Sequence, residues 1–251
     1  MTTTAIPPRA ATIARQAAFD LRLVLRNGEQ ILLTLLLPVV LLVGLGRTSV
    51  VSVGETDAPR IDVVVPGIIA LAVMSTAFTS LAISTGFDRR SGVLKFLGAT
   101  PLMRSGLLWS RVAAVLAMVG LQMLVIVPLA LLLGWSPNGP LIAAAALVVL
   151  GVAAFGALGV ALAGVLRAEA TLAAANGIYL LLLLGGGVVV PLDVMPAPLA
   201  AAAALLPSGA LGEGLRLVLL DGTAMPWSQA AVLTAWAALG AVLASRTFRW
   251  E

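Results

Sequence analysis

Positive charge is densest between two long apolar segments, in residues 87–104, which read FDRRSGVLKFLGATPLMR. Arg89, Arg90, Lys95 and Arg104 stand there against a single acid, Asp88. No nucleophile, general base or metal-ligand spacing accompanies them, so the chemistry on offer is recognition: charged and apolar contacts to another surface. Val93, Leu94 and Leu97 fall at helical spacing while Arg90 and Lys95 point to water, which predicts a short amphipathic helix. Gly92 lets the backbone turn where the preceding helix must stop, and Thr100-Pro101 marks where the short helix ends. Eighteen residues are long for a simple turn between two membrane spans. The stretch is expected to lie across the cytoplasmic membrane surface as a handle for another protein.

Other chemistries are poorly provided for. Cysteine and histidine are absent, which removes disulfides, thiol chemistry, imidazole bases and the commonest zinc sites. The sequence has no G-x-x-x-x-G-K-[ST] phosphate loop, since its one lysine, Lys95, follows Val-Leu and precedes Phe. If nucleotide drives this protein, a separate polypeptide binds it. The span interiors are expected to carry no ionisable side chain, with Asp62 at the very start of the second, which argues against an ion-coupled pump. Their polar groups are mild. Thr76 and Ser80 belong to a hydroxyl-rich second span, and Asn176 and Tyr179 lie in the fifth. These four are candidates for lining a substrate path, although helix-to-helix hydrogen bonding accounts for each of them more simply. Gly151, Gly156, Gly159 and Gly164 are read as close-packing positions on the same grounds.

The elements that must position these residues are membrane spans. Of the 251 residues, 61% are hydrophobic and only 10% charged, with a mean hydropathy of +1.10. A soluble domain carries about 25% charged residues, so an all-α membrane protein is expected. Six apolar runs, about 30–46, 62–87, 107–133, 139–166, 171–190 and 228–246, are predicted to be transmembrane helices. They would form a six-span domain over residues 30–251, preceded by an amphipathic segment over 1–29. In that segment Arg15, Arg22 and Arg26 share one side of a helix, which suits the headgroup boundary. A tight turn at residues 136–140 would make spans three and four a hairpin.

Orientation follows from counting cations. With the N-terminus inside, twelve of the fifteen Lys and Arg residues are cytoplasmic, and only Arg47, Arg60 and Arg216 lie outside. That bias places both termini in the cytoplasm and makes nucleic acid an unneeded partner for the net charge of +4. The external segment 191–226 is apolar in its middle and broken by Pro191, Pro196 and Pro207, a pattern suited to re-entrant helices. Glu213 and Arg216 stand at i, i+3 as a pair within it.

This arrangement resembles the permease subunits of type-2 ATP-binding-cassette transporters, the drug, lipid and polysaccharide exporter group. Two stretches carry the resemblance. Asp88-Arg89, Gly92-Val93-Leu94, Leu97 and Thr100-Pro101 match the family's acid-arginine, Gly-Thr-Leu, leucine and Thr-Pro order after the second span. Asp88 stands for the usual glutamate and Val93 for the usual threonine. Outside, Pro191-Leu192, Pro196, Leu206-Pro207 and Glu213-Gly214-Leu215-Arg216 follow the family's re-entrant order between spans five and six.

The resemblance implies a cytoplasmic coupling helix over residues 88–104, gripped by an ATPase subunit present in two copies. It also implies a second permease copy, identical or homologous, in the bilayer of the cytoplasmic membrane. ATP and Mg would be bound by the partner, with no cofactor on this chain. The substrate would be bulky and amphipathic or lipid-linked. A membrane scaffold without transport, or an ion-coupled transporter, are the rival readings.

Overall fold

A computed structural model describes residues 18, 22, 26, 28–47, 58–92 and 104–247. Among them there is no strand. The helices are α1 (Gly28–Arg47), α2 (Arg60–Met74), α3 (Leu81–Arg90), α4 (Arg104–Leu132), α5 (Leu141–Val165), α6 (Ala168–Gly185), α7 (Ala197–Leu205), α8 (Pro207–Leu219) and α9 (Trp227–Thr247). A π-helical turn, Ser75–Ser80, joins α2 to α3 without a break, and a single 3-10 turn, Leu192–Val194, precedes α7.

Five rods are long and apolar enough to cross a membrane: Arg60–Arg90, Ser110–Leu132, Leu141–Val165, Ala168–Gly185 and Trp227–Thr247. The pair α7–α8, bent by 95°, would make a sixth if counted as one span. Helix α1 covers the predicted first span, its apolar part being Thr34–Arg47.

The rod α2–π–α3 is the axis of the molecule. In its most apolar window 94% of residues are buried, against 17–44% in the other four rods. From Ile61 to Met74 every residue is buried. A helix apolar on all sides must be surrounded on all sides, and α1, α4, α5 and α8 supply the surroundings. The outer rods instead turn large apolar side chains outward, among them Leu132, Ile142, Leu181 and Leu184. Such a surface is costly in water and natural in hydrocarbon.

Small residues let the rods approach closely. A Cβ on Gly159 would stand 2.8 Å from the Phe78 carbonyl oxygen, and one on Gly151 2.8 Å from Leu211. The most extensive pairing is α5 along α9, where a Cβ on Gly240 would meet Ala157 at 2.9 Å. The expected hairpin of α4 and α5 is therefore a weak packing pair. Helix α5 spends its surface on α9, α8 and the π turn instead.

Prolines start the helices of segment 191–226 rather than merely interrupting it. Pro196 is the N-cap of α7, and Pro207 opens α8 after the extended Leu206. Proline is well placed there, because the first turn has no use for its missing N–H. Helix α7 is largely exposed, whereas α8 is buried over most of its length against α2, α5 and α9.

Candidate functional site

Three consecutive residues at the end of α3 bind three different elements. Asp88 accepts from Nη2 of Arg111 on α4 at 2.6 Å, while Nη1 of Arg111 donates to the Thr85 hydroxyl, also at 2.6 Å. Arg89 sends Nη1 to the Gly164 carbonyl and Nη2 to the Leu166 carbonyl, each at 2.6 Å. Those carbonyls belong to the end of α5, where backbone acceptors lack helical partners and carry partial negative charge, so the planar guanidinium caps both at once. Arg90 forms an ion pair with Glu169 in the first turn of α6. Beneath them, Gly86 lies against Ala168 and Thr171, where a Cβ would sit in van der Waals contact. The last turn of α3 is thus fastened to α4, α5 and α6 together.

The chain then turns at Gly92, whose φ of +75° is the left-handed conformation that favours glycine. Phe87, Asp88, Arg90 and Ser91 line a shallow cavity of about 370 Å³ at this end. Leu94, Lys95, Leu97, Thr100 and Pro101, the remaining residues expected to grip a partner, lie outside the described residues. So does Arg15. Arg22 and Arg26 are helical and exposed, four residues apart on one helix face.

The neighbouring arginines of the basic cluster therefore have different tasks. Arg89 is turned inward on the chain's own carbonyls, and Asp88 is half consumed by Arg111. Arg90 stays largely exposed, with 62% of its side chain accessible.

The four residues proposed for a substrate path do not share a wall. Thr76 is buried and donates to Oε1 of Gln122 at 3.1 Å, and Gln122 in turn donates to the Thr34 carbonyl of α1 at 3.2 Å. Ser80 is partly buried. Asn176 is exposed and donates to its own helix at the Leu172 carbonyl, whereas Tyr179 faces inward. Helix-to-helix bonding thus accounts for Thr76, and Asn176 and Tyr179 diverge around α6.

The opposite end of the rods has its own fastening. Arg216 of α8 is buried and donates Nη1 to the Gly187 carbonyl and Nη2 to the Val188 carbonyl, both at 2.8 Å. Glu213 lies 3.7 Å from the same guanidinium, as the i, i+3 spacing predicts. Pro191 follows the strapped segment, so the stretch after α6 and helix α8 are closed on each other. Buried Asp62 accepts from the Ser136 backbone N–H at 2.9 Å, joining the start of α2 to the α4–α5 turn.

Sequence reasoning missed Arg111. In the orientation count it is one more cytoplasmic cation, yet it stands seven residues into α4, inside the predicted third span, and is buried, contrary to the expectation of uncharged span interiors. An arginine inside an apolar run, with an acid just before the same loop, was the available signal.

All-helical architecture and five to six apolar rods define an integral membrane protein with no enzymatic constellation among its described residues. The chain belongs to the ABC-2 family transporter proteins, whose sequence pattern matches residues 60–245. The match runs from the first residue of α2 almost to the end of α9 and includes both fastened ends. It makes the chain the transmembrane permease component of an ABC transporter, not its nucleotide-binding domain, and implies an ATPase partner. No curated protein matches the chain.

Proposed function

We propose that this chain is one half of an ATP-driven exporter, pairing with a second permease copy and docking two cytoplasmic ATPase subunits. On this reading the Asp88 end is cytoplasmic, and the bent α7–α8 pair is re-entrant from outside. The coupling helix lies between Gly92 and α4 rather than starting at Asp88, because Asp88, Arg89 and Arg90 complete α3 and Arg104 opens α4. With α1 as the first, the spans number six. ATP and Mg are held by the partner. The cargo is bulky and amphipathic or lipid-linked, moved by displacement of whole rods.

One observation carries the proposal: the last turn of α3, immediately before the docking segment, is tied to α4, α5 and α6 by Asp88, Arg89 and Arg90. A push on a loop moves a membrane domain only if the loop's root is stiff and branches to several rods. Here recognition and transmission are separate tasks. Leu94, Lys95 and Leu97 face the ATPase, with Thr100-Pro101 closing the helix, while Arg89 passes the displacement on.

The test is to co-purify the ATPase with Leu94→Asp and with Arg89→Gln. Leu94→Asp is expected to reduce retained ATPase by about tenfold or more, as loss of an interfacial anchor does. Arg89→Gln should retain the ATPase but lose coupling of ATP hydrolysis to transport. Undiminished ATPase retention by Leu94→Asp overturns the docking role.

A further inference from the structure

An apolar groove of about 510 Å³ runs along the outside of the bundle between α5, α6, the α7–α8 bend and α9. Its floor is a stripe on α5 from Phe155 to Val165, and one wall is the α9 stripe Trp236, Leu243 and Thr247. At 1.5 Å per residue these stripes are about 15 and 16 Å long, roughly half the 30 Å of a bilayer's hydrocarbon. The groove thus has the length of one leaflet. Its two polar lining side chains are already committed: Trp236 Nε1 donates to the Leu205 carbonyl at 2.8 Å, and the Thr247 hydroxyl to the Leu243 carbonyl at 2.8 Å. Nothing within it can reward a polar ligand, whereas a hydrocarbon chain fits its length and chemistry.

Charge sits at one end. The groove reaches Val165 and Leu166 on one side and Thr247 on the other, and each is next to an exposed arginine, Arg167 and Arg246. Neither arginine forms an ion pair among the described residues. We infer that the groove is a site for an anionic phospholipid from the leaflet at that end, one acyl tail along α5 and α9 and the headgroup phosphate between Arg167 and Arg246. The occupant is a resident lipid, and the site is distinct from the Thr76, Ser80, Asn176 and Tyr179 positions, none of which lines it.

The experiment is native mass spectrometry of the full chain, delipidated and then offered palmitoyl-oleoyl phosphatidylglycerol or phosphatidylcholine. Two basic residues near an anionic headgroup should favour phosphatidylglycerol by about tenfold or more. Arg167→Gln with Arg246→Gln should abolish that preference while both lipids still bind. Ala161→Phe, which fills the groove, should remove the bound lipid of either kind, with an unchanged helical circular dichroism spectrum as the folding control. Excess inorganic phosphate should not displace the lipid, which separates a headgroup site from a free-phosphate site. Equal retention of the two lipids by the unaltered chain overturns the inference, as does an unchanged preference in the double variant. Exclusion of lipid by a second copy of the chain seated on α9 also overturns it. None of these readouts depends on transport or on an ATPase.

Discussion

Arg111 and Asp88 hold each other at 2.6 Å across 23 residues of sequence, and the two ends of the pair are unequally buried. The Arg111 side chain is 10% exposed and that of Asp88 37%. Removing either partner therefore has unequal consequences. Asp88→Ala strands a buried cation whose other hydrogen bond among the described residues is to the Thr85 hydroxyl, and should cost about 2–3 kcal/mol. Arg111→Met leaves a carboxylate that water can reach, and should cost about 1 kcal/mol. The double variant should be more stable than Asp88→Ala alone. Thermal unfolding of the purified chains in one detergent measures all three, and additive losses would mean the pair is not coupled.

Arg216 serves two backbone carbonyls and lies near one carboxylate from a buried position. Arg216→Leu leaves the Gly187 and Val188 oxygens and Glu213 without it, and should lower stability by about 3 kcal/mol. Arg216→Lys should recover less than half of that, because a single ammonium cannot span two acceptors with fixed fork geometry. Comparing the unfolding midpoints of the two variants decides the point.

Gly159 is the tightest test of rod-to-rod spacing near the π turn. Gly159→Ala sets a methyl 2.8 Å from the Phe78 carbonyl oxygen, a backbone atom that cannot swing away. The expected cost is about 1–3 kcal/mol, appearing as a lowered melting temperature. Gly177→Ala is the control, since a Cβ there meets nothing within 4 Å.

Thr76→Val removes the hydroxyl given to Gln122. It should cost about 1 kcal/mol or less, and should leave ATP-driven transport intact if Thr76 only packs. A large change in transport with unchanged stability would return Thr76 to the substrate path.

Much of the fold was legible because the membrane imposes a coarse code. Length and apolarity located the long rods, whereas the prolines at 196 and 207, which read as breaks in an apolar run, are the starts of α7 and α8. The i, i+3 pairing of Glu213 with Arg216 followed from helical geometry alone. Contacts between rods were not legible. Nothing local in the sequence says that Arg89 reaches the end of α5, 75 residues away, or that Asp62 meets Ser136. Cations beside a span are equally consistent with orientation, partner binding and capping, and only packing assigns each its task. Asn176 and Tyr179 read as a pair because they are close in sequence, yet three residues along a helix can face lipid and core.

The wide turn Ser75–Ser80 sits midway along the most enclosed rod, with Phe78 edge-on to Phe155 at 6.5 Å. An added residue in one loop of a helix advances everything beyond it by about 100° relative to an uninterrupted wheel. Thr76 and Thr85 both face inward while Ser84 faces out, so a wheel drawn straight through this rod does not group its hydroxyls correctly. The extra residue therefore sets the azimuth of Asp88, Arg89 and Arg90 about 100° from where an unbroken α-helix running from Asp62 would put them.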